Sequence, residues 1–381
     1  MHIETRLPRV GTTIFSVMSQ LAAQHKAVNL GQGFPDFDPP EALRQALTRA
    51  MQDGHNQYAP GIGMARLREQ IARKTEADYG RRVSADTEVT VTSGATEAIF
   101  SAIAATVRSG DEVIVFDPAY DCYEPAINLQ DARAVHIPLT PPDFSVDWDR
   151  VRDAITPRTR MIIVNSPHNP SGAVFAPADL ETLADLVRDS DILVLSDEVY
   201  EHIVYDGMAH QSVLRHPELA ARSFVISSFG KTWHCTGWKV GYCVAPKALS
   251  AEFRKVHQYV TFCTFSPAQV AFAEVLERHP QHARELPAFY QAKRDRFREL
   301  IAASRLRLLP VPGGYFQLVD YSEIRDSDDI NFSEWLVREG GVAAIPLTPF
   351  YETPPNTRLL RLCFAKNDDT MQAAAERLGR L

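Results

Sequence analysis

Three stretches decide the fold: MIIVNSPHNPSG at residues 161–172, ILVLSDEVY at 192–200 and FVISSFGKTW at 224–233. Each opens on a short run rich in Val, Ile and Leu and breaks into polar and turn residues. Little polar alternation interrupts the runs, as in strands buried on both faces. Glu88–Thr92, Glu112–Phe116 and Val240–Val244 read the same way. Helical patterns lie between them: Ile99, Ile103 and Val107 repeat every four residues, and Leu180, Leu183, Leu186 and Val187 share one face. Strand and helix in alternation predict an α/β fold with a mostly parallel central sheet and helices on both faces. Beyond residue 280 the pattern changes. Leu286–Ala303 reads as a long helix, and short strands at Leu306–Leu309, Gly314–Val319 and Leu359–Phe364 surround a helix near Phe332–Glu339. The expected division is an arm at 1–45 belonging to a small domain, a large domain at 46–280, and a small α+β domain at 281–381. The pairs Pro39-Pro40, Pro141-Pro142 and Pro354-Pro355 mark loops.

Composition narrows the function. The 381 residues are 45% hydrophobic and 23% charged, an ordinary globular balance. Lys plus Arg number 40 against 48 Asp plus Glu, a net charge of −8, which gives no basic field for a nucleic acid. The five cysteines form no C-x-x-C, so neither a disulfide framework nor a zinc ribbon is indicated. Residues 1–18 lack a continuous apolar segment of signal-peptide type, and no stretch reaches the ~20 apolar residues of a membrane span. A soluble cytoplasmic protein, with no membrane or nucleic-acid partner, is the expectation.

In a doubly wound sheet, ligands bind beyond the carboxyl ends of the strands. The residues there are Ser93-Gly94-Ala95-Thr96, Asp117 to Tyr120, Asn165 to Asn169, Ser196-Asp197-Glu198 with Tyr200, and Ser227 to Lys231. Each alone is an ordinary turn or cap residue. Together they set a glycine-bearing helix start, an amide, an acid, a phenol and a lysine along one edge. Other motifs fail. Gly230-Lys231-Thr232 ends like a phosphate loop, but Val225 stands where its first glycine belongs, and Gly31-Gln32-Gly33 lacks the third glycine of a dinucleotide fingerprint. The twelve histidines are scattered and support no metal site.

The blocks NSPHNPSG at 165–172, SDEVY at 196–200, SSFGKTWHCTGWKVGY at 227–242 and GQGFPDF at 31–37 resemble the class I aminotransferases of fold type I. Within them they are most similar to the branch of bacterial methionine aminotransferases and kynurenine aminotransferases. Matching motifs run from residue 29 to 366. The resemblance implies pyridoxal 5'-phosphate as cofactor. It makes Lys231 the Schiff-base lysine and proton carrier, and sets Asp197 against the ring nitrogen. Opposite charges ~4 Å apart at an effective dielectric of ~20 attract by about 4 kcal/mol, enough to keep that nitrogen protonated. Asn169 and Tyr200 match the donors to the ring oxygen, and a cis bond at Pro167 or Pro170 would aim Asn169. Gly94, Ala95 and Thr96 start a helix that suits the phosphate, joined by Ser228 and Lys239. Lys239 stands where many relatives carry Arg. Tyr120 matches the aromatic stacked on the ring.

By the same resemblance Arg361 grips the substrate carboxylate, aided by Asn169 and the backbone at Gly33, with Arg358 a nearby competitor. Tyr58 would reach the phosphate, and Phe262 the substrate pocket, from a second copy of the chain, which implies a homodimer. Phe15, Tyr58, Phe262 and Phe350 give an aromatic pocket without a cation. The implied reaction is ping-pong transamination between an L-amino acid with a large apolar, thioether or aromatic side chain and a 2-oxo acid. Methionine, phenylalanine, kynurenine, histidine and glutamine form the shortlist. The rival on the same scaffold is a cysteine S-conjugate β-lyase. A non-catalytic regulator would need an added DNA-binding domain, and 30 residues precede Gly31.

Overall fold

The computed structural model describes residues 3–381. Seven strands form the central sheet: β1 (Val89–Thr92), β2 (Glu112–Asp117), β3 (Arg133–Pro138), β4 (Thr159–Asn165), β5 (Leu193–Asp197), β6 (Ser223–Ser228) and β7 (Gly241–Val244). Their order across the sheet is β1-β7-β6-β5-β4-β2-β3. Five strands, β3, β2, β4, β5 and β6, run parallel to one another. The apolar runs split by parity. Val113, Val115, Met161, Ile163, Phe224 and Ile226 pack on one face with Ile99 and Ile103 of the helix Ala95–Thr106. Ile114, Phe116, Ile162, Val164 and Val225 pack on the other with Leu180 and Leu183 of the helix Pro177–Val187. Apolar residues at successive positions thus serve both faces, as the unbroken runs predict.

Strand β7 is the exception that builds the site. A parallel return from β6 needs a crossover of a dozen or more residues, commonly an entire helix. The link from Ser228 to Gly241 carries only a helical turn at Phe229–Thr232 and a second short turn, and the chain doubles back. Strand β7 therefore runs antiparallel to both neighbours, with Gly241 opposite Ser228 of β6 and Thr92 of β1. That register sets the start of the helix Ala95–Thr106, Ser228 and the Lys231–Lys239 link at one sheet end. Gly241 is held by close approach: a Cβ there would lie 2.7 Å from the Ser227 carbonyl oxygen and 3.1 Å from the Ala95 nitrogen.

A second, antiparallel sheet sets Leu359–Cys363 between Phe316–Asp320 and Ile345–Pro346, with Arg307–Leu308 at its far edge. The chain's beginning joins this region. Val28–Asn29 pairs in parallel with Val342–Ala343, and Met18 and Ala22 of the helix Ile14–His25 pack with Val337, Ala343 and Ile345. The helices Glu41–Gln52, Ala65–Tyr79, Lys247–Val260 and Ser266–Arg278 add to the expected elements, and two further differences have a local cause. Strand β3 went unread because it is an edge strand, partly exposed and carrying Arg133 and His136. The long helix spans Gln281–Ile301, five residues earlier than expected, with Pro287 inside its second turn.

Gly241→Ala should lower stability by roughly 1–3 kcal/mol through overpacking against backbone. Gly237→Ala, at a position with open space around it, should change it by less than about 0.5 kcal/mol. Urea midpoints of the two variants check this.

Candidate functional site

A cavity of about 300 Å³ opens at the carboxyl ends of β4, β5 and β6. Its walls bring together Gly33, Phe15, Gly94, Ala95, Thr96 and Tyr120 with Asn169, Asp197, Tyr200, Ser228, Lys231, Lys239 and Arg361. These come from segments up to 346 positions apart, Phe15 to Arg361, so the resemblance-based set meets in space.

Lys231 sits in the helical turn after β6. Its Nζ donates to the Tyr315 hydroxyl at 3.1 Å and to the Gly33 carbonyl at 3.4 Å, and lies 5.5 Å from the Tyr200 ring centre. Burial disfavours its charged form and lowers its pKa to about 8. An appreciable share of the amine is then uncharged near neutrality, as a nucleophile requires. Tyr315 in turn donates to the Gly33 carbonyl at 2.7 Å.

Asp197 ends β5, buried on all sides. Its Oδ2 accepts from the Tyr123 hydroxyl at 2.6 Å, and Oδ1 from the Val199 amide at 3.4 Å. Burial outweighs these bonds and pushes its pKa up to about 6. Such a carboxylate is under-compensated, and a cation in the cavity would complete it. Asn165 fixes the two strand ends, donating from Nδ2 to the Asp197 carbonyl and accepting the Asn169 amide, both at 2.8 Å. The peptide bonds before Pro167 and Pro170 are both cis.

Arg361 is 1% exposed. It donates to Asn169 Oδ1 at 2.9 Å and to the Gly31 carbonyl at 2.7 Å, and its guanidinium lies 4.0 Å from the Phe316 ring centre and 5.0 Å from that of Phe15. Its Nε has no partner, and burial lowers its pKa from the ordinary arginine value. A planar guanidinium between two aromatic faces, with one bond made by each terminal nitrogen, suits a carboxylate. With its oxygen turned to Arg361, Asn169 keeps its Nδ2 hydrogens for the cavity. The competitor Arg358 pairs with Asp326 instead.

At the cavity's other end Gly94 caps the helix Ala95–Thr106 with φ of +84° and no side-chain cap. The Lys239 ammonium packs there, 3.2 Å from where a Gly94 Cβ would stand. A cation against the positive end of a helix, with no carboxylate within 4.0 Å among the described residues, calls for an anion. Together the donors fit an anionic group at one end, a cationic ring at Asp197 and an electrophilic carbon at Lys231.

Three expected residues stand outside these walls. Phe350 is buried behind Phe15, ring centres 5.6 Å apart, because its short turn is pinned by a bond from the Ala119 amide to its carbonyl. It supports Phe15 and does not line the pocket. Tyr58 and Phe262 lie edge-to-face, 80% and 48% exposed. Sequence reading missed Tyr123, Tyr315 and Phe316, and placed Asn165 at the sheet edge without a role. A phenol among aromatics reads as core, although Tyr123 follows Tyr120 by one turn, its amide bonded to the Tyr120 carbonyl at 3.1 Å and the two rings 5.9 Å apart. One trio of metal-type side chains among the described residues, Glu124, His136 and Glu352, does gather, but Arg9 already pairs with both of its acids. No described helix is long and apolar enough to cross a membrane.

The family model for class I and II aminotransferases matches residues 25–378. The chain is 53% identical to the methionine aminotransferase of Escherichia coli K12 over 99% of its own length and 98% of the relative's. It is 33% identical to kynurenine–oxoglutarate transaminase 1 of Rattus norvegicus, with 98% and 97% covered. A solved Escherichia coli structure, with an identified methionine aminotransferase function, superposes with a TM-score of 0.98 at 52% identity over both whole chains.

For Asp197 the folded pKa lies above the ordinary value, so the folded state holds the proton more tightly. Its contribution to stability is fully present below the ordinary value of 3.8 and is lost as pH rises to about 6. In cofactor-free protein, Asp197→Asn should therefore raise stability at pH 7 by about 3 kcal/mol and leave it nearly unchanged at about pH 3. Urea unfolding across that range measures it.

Proposed function

The chain belongs to the class I and II aminotransferase family, and on that footing we propose that it moves the α-amino group of a methionine-like or aromatic L-amino acid to a 2-oxo acid, with pyridoxal phosphate held in the cavity at Lys231. The observation that carries this reading is the presence in one cavity of a buried lysine whose pKa is lowered and a buried, under-compensated aspartate. When bound, the cofactor supplies an aldehyde for the amino group and a ring that accepts the electron pair left by the α-proton.

The protein's own residues do the rest. Lys231 Nζ would bind the aldehyde and, when free, would carry a proton to and from the substrate's α-carbon. Tyr315 holds that amine in reach. Asp197, oriented by Tyr123, would keep a proton on the ring nitrogen. The Nδ2 of Asn169 and the Tyr200 hydroxyl would donate to the ring oxygen, and Tyr120 would pack on the ring. The Ala95 and Thr96 amides, Ser228 and Lys239 would hold the phosphate. Arg361 orients the substrate carboxylate, which fixes the α-carbon over Lys231.

The side-chain preference rests on the walls. Phe15, Phe34 and Phe316 are aromatic, and the cavity's cations, Lys231, Lys239 and Arg361, already have tasks. None is left for a second carboxylate, which disfavours acidic amino donors. The similarity to a methionine aminotransferase points the same way. β-Elimination on a cysteine S-conjugate is not favoured, since the relatives reported above are transaminases. Membership of an enzyme family sets the regulator reading aside. The exposed Tyr58, Tyr259, Phe262 and Phe265 support a homodimer in which Tyr58 and Phe262 serve the partner's cavity.

Lys231→Ala should bind cofactor yet lose more than about 10²-fold in turnover; ordinary turnover removes the assignment. Half-reactions with single amino acids, followed by cofactor absorbance, should run faster with methionine and phenylalanine than with aspartate. For the dimer, mixing unfolded and refolded Lys231→Ala and Tyr58→Ala chains should restore activity above either parent, and no restoration would place Tyr58 outside the partner's site.

A further inference from the structure

The consecutive carbonyls from Gly31 to Phe34 each meet a cation, and the partners alternate. The Gly31 carbonyl accepts from Arg361 Nη2 at 2.7 Å. The Gly33 carbonyl accepts from the Tyr315 hydroxyl at 2.7 Å and from Lys231 Nζ at 3.4 Å. The carbonyls of Gln32 and Phe34 turn instead to the Lys366 ammonium, at 3.4 Å and 2.8 Å. One short segment thus gives every second oxygen to the site and the others to a lysine outside the cavity walls.

Lys366 is costly where it stands. It is 3% exposed, and no carboxylate lies within 4.0 Å of its ammonium among the described residues. The Phe34 ring, its centre 5.0 Å from Nζ, adds a cation–π contact. A buried ammonium held by carbonyls incurs a desolvation cost that an apolar side chain of like size would not. What the charge supplies is direction. It draws two backbone oxygens to one point and so fixes the peptide units on either side of Gly33. The seam extends both ways: Asn29 Oδ1 accepts the Gly31 and Gln32 amides at 2.9 Å and 3.2 Å, and Asp36 accepts from the Asn367 amide and the Thr370 hydroxyl. Lys366 follows Arg361 by five residues, so one stretch of chain grips the segment through two cations.

We infer that Lys366 is a positioning residue for the reaction: by holding the Gln32 and Phe34 carbonyls it places those of Gly31 and Gly33, and through them sets Arg361 and the Tyr315–Lys231 pair in one frame. The inference rests on the reading given above of Arg361 as the carboxylate's partner and Lys231 as the reacting amine. With the frame intact, the α-carbon of a substrate held at Arg361 falls within reach of Lys231. With it loosened, carboxylate binding weakens and proton transfer slows together, since a misplacement of ~1 Å set far from the chemistry can cost about 10²-fold.

The test uses the cofactor-loaded enzyme. Lys366→Met keeps the length and deletes the charge. Lys366→Gln keeps an N–H donor and carries the test if the methionine variant does not fold. In protein whose urea midpoint shows it folded, KM for methionine should rise and kcat should fall, each by about tenfold. KM for phenylalanine should rise by the same factor, because the frame holds groups common to all amino acids and not the side chain. On calorimetry, 3-phenylpropionate, which offers a carboxylate and no amine, should bind about tenfold more weakly. A merely structural lysine would lower the folded fraction and leave KM and that Kd unchanged. Unchanged KM and Kd in a folded variant, or a KM effect confined to one amino acid, would overturn the inference. Those outcomes are separable from failure of the proposed reaction, in which the unaltered enzyme itself shows no half-reaction with methionine.

Discussion

The burial of one carboxylate organises the site. Asp197 closes a strand whose other residues are packed between two helical layers, and its charge there is costly. Tyr123 and the Val199 amide relieve that cost only in part, which is why burial still pushes the acid up to about 6. A site that holds an unrelieved anion opposite a lysine lowered to about 8 is arranged for a cationic ring and a neutral amine. The other wall groups follow: the buried Arg361 guanidinium is held by Asn169 and the Gly31 carbonyl, and Lys239 crowds a helix N-terminus. Each of these groups is uncomfortable without an occupant, and each discomfort specifies a part of that occupant.

Chain topology brings them together. The link after Ser228 makes two short turns and no crossover helix, so β7 returns antiparallel, and the lack of a side chain at Gly241 lets three backbones meet there. Lys231 and Lys239 lie on that link, so one local feature positions both. Its other side, through Phe229 and Thr232, lines a separate cavity.

Much of this was legible in the sequence. Strands buried on both faces leave unbroken apolar runs, and the residue that ends each run is where an α/β sheet binds its ligand, so Asp197, Asn169 and Lys231 stood out. Strand β3 was not legible, because an edge strand with Arg133 and His136 lacks the apolar signal. Tyr123 and Tyr315 were not, because their hydroxyl bonds depend on residues 74 and 84 positions away. Phe350 was misplaced by one layer: an aromatic near a pocket in sequence terms can stand behind another aromatic, as it does behind Phe15. Arg358 and Arg361 were indistinguishable until packing put one on Asp326 and the other on Asn169.

The most direct measurement is chemical trapping. The cofactor-loaded protein is reduced with borohydride, digested, and the cofactor-bearing peptide identified by mass spectrometry. The account predicts a single pyridoxyl group on Lys231, within the segment Phe229–Thr232. A label on any other lysine, or reduced protein that carries none, would contradict it.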